Sequence, residues 1–556
     1  MFDAAKRGHA PCLRLSFPLS ADWNDSPSLA PVVFEDEQLL VVNKPAGWNT
    51  HSPSPFAGEG IFDWLRHREP RWEHLAIIHR LDKETSGVLV FGKTTLANRS
   101  LTQQFTDRVV SKTYLLLTDR PVPPEPLLIE SAIVRSGDRY VSRPPHAGAD
   151  LAQTRFKLLK PVRGSNHVSA EPLTGRTHQI RVHAAQAGFP ILGDSLYGGA
   201  PADRVCLHAA EIALRHPATG DLLVFAAPEP FAEEPRLALR EGFVDLQTTD
   251  AFRLSHGASE GCPGCYVDRL GDFLLVQSER PLTPEQLGTV QGWVRRFGSR
   301  GVCLKRLERQ VRLTTTEGVS PQLLLGQEPS AEFVVKENGV RYALSCREGY
   351  SVGLFLDQRD NRRRLRVNHV AAGFPGPASP GARSEVLNVF AYTCGFSVCA
   401  ALAGARVTSV DLSKKYLGWG RRNFALNGLD AEAHEFIAGD ALDWLRRLAK
   451  KGRAFDAVLL DPPTFSTSKE SGRFQAARDY GALVERAIPL VRAGGVLFAS
   501  TNAATLAPER FLEMVERPIA AAGREVLQRH YAPQPPDFPV SRDEPAYLKT
   551  VWLRLS

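Results

Sequence analysis

The sequence predicts a multidomain protein of the α+β and α/β classes. A front region rests on a mixed, mainly antiparallel sheet, a small α/β region follows, and the rear is a Rossmann-like, doubly wound parallel sheet. Three observations carry this. A length of 556 residues holds three or so domains at roughly 100–200 residues each. From 31 to 230, short apolar runs are punctuated by Pro, Gly and Asp with few helical stretches, the pattern of an α+β antiparallel sheet. From 336 to the end, short apolar runs alternate with helical patterns, as βαβ units do.

In order, residues 1–30 carry little pattern and read as a lead-in. Over 31–230, the segments 32–34, 39–43, 77–78, 88–91 and 113–118 read as strands and Thr95–Thr106 as a helix. The Pro- and Glu-containing stretch 231–250 reads as a linker. In the region 251–335, segments 266–267, 273–277 and 302–305 read as strands and Pro284–Phe297 as a helix. Over 336–556, strands are expected at 386–390, 406–410, 457–460 and 495–500, with a helix at 397–403.

A hydrophobic content of 43% and a charged content of 23% are ordinary for globular protein and exclude wholesale disorder. The net charge of +7 favours a polyanionic partner, because surface Lys and Arg gain from phosphate neutralisation. Eight cysteines do not make a disulfide scaffold. Cys262 and Cys265 have no second pair at zinc-finger spacing and read as small residues of a Gly-Pro turn. His79, His178 and His183 lack acidic partners, and the last two sit five apart on an expected strand, so no metal site is read there. No run approaches the roughly 18 apolar residues of a membrane span, and residues 1–30 lack a signal-peptide core. A cytoplasmic protein without membrane contact is the expectation.

Residues 79–87 read His-Arg-Leu-Asp-Lys-Glu-Thr-Ser-Gly, between two apolar runs, which sets Asp82 in a loop between strands beside Arg80. The string resembles the H-R-L-D-x-x-T-S-G signature of RluA/RluD-type pseudouridine synthases. Asn-Lys-Pro-Ala-Gly at 43–47, Ser-Lys-Thr-Tyr at 111–114, Gly-Arg-Thr-His-Gln-Ile-Arg at 175–181, Leu-Gly-Asp-Ser-Leu-Tyr-Gly at 192–198 and Leu-His-Ala at 207–209 extend the likeness over 31–230. The resemblance implies that Asp82 is the nucleophile that isomerises uridine, with no cofactor. It implies that Tyr114 stacks on the uracil and serves as base, that Arg176 pairs with the aspartate, and that Arg80 fills the space of the flipped base. The chemistry needs such a set: a carboxylate to hold the detached intermediate, a base for the carbon-5 proton, a cation to keep the carboxylate ionised, and extrusion of the base from its stack.

A second constellation lies in the rear. An apolar strand ends near Phe390 and runs into Ala-Tyr-Thr-Cys-Gly at 391–395, and the next strand ends at Asp411. An acid at that spacing, about 20 residues on, can bind ribose hydroxyls at a sheet's switch point. The turn has Gly395 but no G-x-G-x-x-G, so a pyrophosphate fits poorly and S-adenosylmethionine fits better. Asp461-Pro462-Pro463-Thr464-Phe465 ends another strand. Its rigid prolines would hold carbonyls toward a flat base on which Phe465 could stack. This resembles the [DN]-P-P-[YF] motif of nitrogen-directed methyltransferases. A longer likeness, to the RlmI/RlmK-type ribosomal RNA methyltransferases, rests on Gly-Leu-Phe-Leu-Asp-Gln-Arg at 353–359, the 388–395 loop with Cys394 before its glycine, Asp-Leu-Ser at 411–413, Asn423, Asn-Gly at 427–428, and Ser468-Lys469. It covers 255–556, with 251–335 as an RNA-binding-like domain. It implies S-adenosyl-L-methionine contacts from Asp357, Arg359, Asn388, Phe390, Tyr392, Gly395, Asp411, Ser413, Asn427, Asp440 and Asp461, and catalytic roles for Asp461, Pro462, Pro463 and Phe465.

Methylating carbon 5 of cytosine requires a cysteine nucleophile. The stretch after the 495–500 strand carries none, and Cys394 and Cys399 lie in the cofactor loop and its helix. A nitrogen acceptor, guanine N7 first, is therefore favoured over other base nitrogens and carbon 5. Two basic runs could hold RNA: Arg295, Arg296, Arg300, Lys305, Arg306, Arg309 and Arg312, interleaved with Trp293 and Phe297, and the Arg359–Arg366 stretch. The expectation is a bifunctional RNA-modification enzyme acting on large-subunit ribosomal RNA. Transfer RNA is the alternative substrate, and a non-catalytic RNA-binding or assembly factor is the alternative of a different class.

Overall fold

The computed structural model describes residues 13–14, 31–58, 60–145, 151–162, 164–307, 320–348, 351–378, 383–468 and 472–556. The lead-in expected at 1–30, apart from Leu13–Arg14, lies outside them, as do Arg309, Arg312 and Lys469. The chain divides into two compact units. The first is Met1–His51 with His74–Phe243, and the second is Ser52–Glu73 with Val244–Ser556.

In the first unit a twelve-stranded mixed sheet has Ser86–Gly92 as an interior strand. All seven residues of that strand are buried, as expected of an apolar run covered on both faces. It pairs antiparallel with Leu39–Lys44 and parallel with Leu207–Arg215. That third strand pairs antiparallel with Ser111–Thr118, matching Ala209 to Tyr114. Gly87 is required where the strands meet: its φ is +119°, and a Cβ would lie 2.2 Å from the Ala209 carbonyl oxygen. The register thus sets the 79–87 loop and Tyr114 at one end of adjacent strands.

Two expectations are corrected in this unit. His178 and His183 are not on a strand: His178 is the left-handed N-cap of a helix, Gln179–Gln186, and His183 is within it. The expected linker contains a helix, Pro235–Phe243, with Leu237, Leu239 and Phe243 buried and the Phe243 ring 4.1 Å from that of Trp48. Its Pro opens the helix, where the missing N–H costs nothing.

In the second unit, a five-stranded sheet is ordered Ala251–His256, Cys265–Leu270, Phe273–Ser278, Gly301–Arg306 and Gln322–Gly326. Helix Pro284–Phe297 joins its one parallel pair. Trp293 belongs to the core at 5% exposure, so it is not one of the surface aromatics expected among the basic residues. The larger sheet has the order Glu435–Ala438, Arg406–Asp411, Glu385–Val389, Phe455–Leu460, Val491–Thr501, Lys549–Leu555 and Val526–Tyr531. The first five are parallel, and Lys549–Leu555 runs antiparallel to both its neighbours. From the central Glu385–Val389 the chain steps first to one side and then to the other. This makes a switch point where the loops after Val389, Asp411 and Leu460 converge. One apolar cluster runs from Ala251, Leu270 and Leu275 through Tyr342 and Phe396 to Phe498 and Trp552, so the small sheet and the larger one share a core.

Two candidate active sites

In the first unit, the turn at Asp82 closes with the Thr85 N–H donating to the Asp82 carbonyl at 3.1 Å. The Asp82 side chain is 27% exposed and lies 3.7 Å from Arg181 and 4.0 Å from His178. Arg181, 4% exposed, donates to both oxygens of buried Asp194 at 2.7 and 2.8 Å and to Glu84 at 3.2 Å. The bidentate grip fixes the guanidinium plane, so Arg181 meets Asp82 in one orientation. The Tyr197 hydroxyl, 2.7 Å from His178 Nδ1, accepts from the Tyr140 N–H and orients the imidazole. Beneath the loop, Lys44 is fully buried and donates to the carbonyls of Pro45, Trp48 and Lys83. Burial lowers its ammonium to about 7 against the pull of Asp82 and Glu84. Burial raises the Asp82 carboxyl above the ordinary carboxylate value, while His178 and Arg181 pull it back. Burial, and secondarily Asp82, raises the Tyr114 phenol.

In the second unit, Asp411 ends its strand with Oδ2 accepting from the Tyr392 N–H and Oδ1 from the Ser413 N–H, each at 2.8 Å. The loop it holds carries positive φ at Phe390 (62°), Tyr392 (49°) and Cys394 (64°). Three non-glycine residues in that region store strain of order 1–3 kcal/mol each, a mark of functional loops. Asp461 accepts from Gln358 Nε2 at 3.2 Å, and Gln358 also donates to Ser500 Oγ at 2.7 Å. Burial, with Asp357 adding, raises the Asp461 carboxyl to about 6. The buried Tyr480 hydroxyl accepts from the Ser500 N–H at 2.8 Å and lies 3.0 Å from the Leu460 carbonyl, which it can reach as donor, tying two strand ends. Thr464 donates to Asn502 at 2.6 Å, and Phe465 is 46% exposed beside them. Asp357 accepts from the Tyr547 hydroxyl at 2.9 Å. Asp411, Asp461 and Asp357 make the switch point acidic. That suits ribose hydroxyls and a cationic sulfonium and repels a pyrophosphate, so the residues present fit S-adenosylmethionine.

The family profile described as S-adenosylmethionine-dependent methyltransferase matches residues 275–554, half of the chain. The chain belongs to the S-adenosylmethionine-dependent methyltransferases. The profile described as RNA pseudouridylate synthase matches residues 38–186, so the chain joins an N-terminal pseudouridine synthase domain to a C-terminal methyltransferase domain. The chain is 32% identical over 326 residues to the ribosomal RNA large subunit methyltransferase of Deinococcus radiodurans, covering 58% of this chain and 76% of that one. It is 31% identical over 346 residues to ribosomal RNA large subunit methyltransferase I of Aeromonas salmonicida, covering 60% and 81%. Over 182 residues it is 44% identical to ribosomal RNA large subunit methyltransferase K/L of a Psychrobacter species, covering 32% of this chain and 21% of that one.

Within the synthase domain, Asp82 and Tyr114 stand at the same end of the sheet and Arg80 is exposed. Arg181 lies 3.7 Å and the His178 ring 4.0 Å from Asp82, and burial keeps the imidazole toward its neutral form. Arg176 precedes the helix, its N–H donating to Gln179 Oε1 at 3.0 Å. Arg181 went unassigned although it closes the quoted 175–181 string; its helical position five residues on was the missing signal. Within the methyltransferase domain, Asp411, Tyr392, Phe390, Gly395, Asp461, Pro462, Pro463 and Phe465 gather around the switch point. Others have structural partners. Arg359, 3% exposed, holds Asp537 through both terminal nitrogens at 2.8 and 2.6 Å. Asn427 exchanges bonds with the Arg341 backbone. Asn388 donates to Ser397, and Ser413 and Asp440 cap helices. Gln358, Ser500, Tyr480 and Asn502 were missed, as polar residues with no motif of their own. Among the described residues, no group of His, Cys, Asp or Glu is placed to hold a metal, and no helix is long and apolar enough to cross a membrane.

Proposed function

We propose that the chain is a bifunctional RNA-modification enzyme of the cytoplasm. It isomerises a uridine to pseudouridine through Asp82 and methylates N7 of a guanine, both in large-subunit ribosomal RNA. One observation carries the reading: each unit presents a partly buried carboxylate at a strand end, Asp82 or Asp461, beside the groups its chemistry needs. In the isomerase, Arg80 enters the stack as the uridine leaves it. Asp82, kept ionised by Arg181, attacks the sugar carbon as its bond to uracil N1 breaks and leaves again as carbon 5 bonds there, and the Tyr114 hydroxyl takes the carbon-5 proton as it gives its own toward N1. In the transferase, S-adenosylmethionine supplies an electrophilic methyl group. Asp411 would hold its ribose, Asp461 and the Pro462–Pro463 turn would present the guanine edge, and Phe465 would stack on the ring.

The likeness to ribosomal RNA large subunit methyltransferases supports the ribosomal substrate. The thiols support a nitrogen acceptor. Cys394 and Cys399 are 0% and 2% exposed, and burial pushes them up to about 12 and about 11, the reverse of an activated nucleophile. The test is mass-spectrometric mapping of ribosomal and transfer RNA from a deletion strain complemented with the wild type or with Asp82→Asn. The expected outcome is loss of one pseudouridine and one 7-methylguanosine from large-subunit RNA on deletion. The Asp82→Asn variant should restore the methylation alone. Loss of both marks in that variant, or a 5-methylcytidine in place of the methylguanosine, defeats the reading.

A further inference from the structure

The second unit contains a cavity of about 810 Å³, within the range of small-ligand sites, that neither active site uses. Residues 52–58 and 63–68 form one wall. Helix Arg359–Arg366 and the end of strand Val526–Tyr531 form the other. Four arginines line it, Arg68, Arg363, Arg364 and Arg529, with two carboxylates, Asp63 and Asp360; Arg363 also pairs with Glu69, and Arg529 with Glu516 at 3.1 Å. Both carboxylates are engaged: Asp63 accepts the Ser52 N–H at 2.6 Å, and Asp360 lies 3.8 Å from both Arg68 and Arg359. The Arg68 side chain is only 9% exposed, and its buried Nε has no hydrogen-bond partner among the described residues. Arg364 donates Nε to the Val370 carbonyl at 2.9 Å and makes no ion pair among the described residues. A buried donor left without an acceptor is costly, and here two cations face a space large enough to admit one.

Aromatic rings share the cavity. Arg68 covers the Trp64 ring at 4.5 Å, and Phe56 meets Tyr531 edge-on at 4.9 Å. His67 and His530 lie 4.6 Å apart. Burial, and then Arg364, lowers His67 to about 4, so the imidazoles are neutral at pH 7 and add apolar surface. Arginines beside aromatic faces are the means by which proteins hold a phosphate and its unstacked base. We propose that this cavity is a nucleotide subsite that grips one phosphodiester and one base of single-stranded RNA. Helix Arg359–Arg366 borders both places: Gln358 at its head touches Asp461, while Asp360, Arg363 and Arg364 face the cavity. The subsite therefore holds a nucleotide flanking the methylation target.

This rests on the RNA reading above, and the experiment separates the two. Binding of a fluorescein-labelled ten-nucleotide single-stranded RNA to the full chain is followed by anisotropy across salt concentrations. Wild type, Arg364→Gln, Arg529→Gln and the double variant are compared, with S-adenosylhomocysteine affinity as the check on folding. The expected result is a loss of RNA affinity of tenfold or more in the double variant. The logarithmic salt slope should flatten by about 0.7 for each phosphate contact removed, with S-adenosylhomocysteine binding unchanged. A 5-bromouridine RNA should photo-cross-link to peptides containing Trp64 or Tyr531. Wild-type affinity and slope in the folded double variant, cross-links confined to other peptides, or uridine monophosphate binding as tightly as the RNA would each overturn the subsite. If wild type methylates no RNA at all, the functional reading fails instead.

Discussion

At the scale of the residue, both sites turn on carboxylates whose surroundings raise their affinity for a proton. Asp461 shows the consequence most directly. Burial raises it to about 6, so it carries its charge above that pH and loses it below. A cationic cofactor should therefore bind less tightly as pH falls through 6, by up to roughly tenfold for about 1.4 kcal/mol of lost attraction. Calorimetric titration with S-adenosylmethionine at pH 5 and 7.5 checks this, and Asp461→Asn should remove the pH dependence while lowering affinity at 7.5. Asp82 was legible because its nonapeptide is specific. The place of Arg181 beside it was not, because that depends on a helix at Gln179–Gln186 where a strand was read. Arg359 makes the same point in reverse: it sits in a segment that resembles a cofactor loop, yet tertiary packing gives it Asp537.

At the scale of the element, legibility followed the strength of local signals. Helix Pro284–Phe297 was readable to the residue. Thr283 and Gln286 form a capping box, Pro284 opens the helix and Gly298 closes it in the left-handed region, all signals carried by the sequence itself. Helix Pro235–Phe243 was missed because Pro and Glu mark loops and helix starts alike, and only packing of Phe243 on Trp48 decides between them. The loop at 390–394 is an element of another kind. Its strained backbone is held by Asp411 through the Tyr392 and Ser413 amides. Asp411→Ala should release the loop and remove the ribose partner together. S-adenosylmethionine affinity is expected to fall at least tenfold, about 1.4 kcal/mol, with a loss of stability of about 1 kcal/mol from the unmade bonds. Unchanged affinity by calorimetry would remove Asp411 from the cofactor site.

At the scale of the whole molecule, both units carry buried, neutral histidines. Burial lowers His183 and His208 to about 4 and His79 to about 3 in the first unit, and His67 to about 4 in the second. The unfolded chain takes up these protons near 6.5 and the folded chain does not. Stability is therefore complete above about pH 6.5 and falls as pH drops toward 4, by several kcal/mol in sum at about 1.4 kcal/mol per pH unit per group. Melting temperatures at pH 7.5 and 5 check this, and a melting point that holds or rises at pH 5 would contradict it. By itself, the sequence determined the two fold classes and their order. Hydrophobic period, turn residues and short invariant-looking strings act locally, over a few residues. Tertiary structure alone decided that Arg181 lies beside Asp82, which polar side chains support Asp461, and that residues 52–73, inside the stretch matched to the synthase, belong to the second unit. Those outcomes depend on register, burial and contacts between segments hundreds of residues apart, which no local pattern encodes.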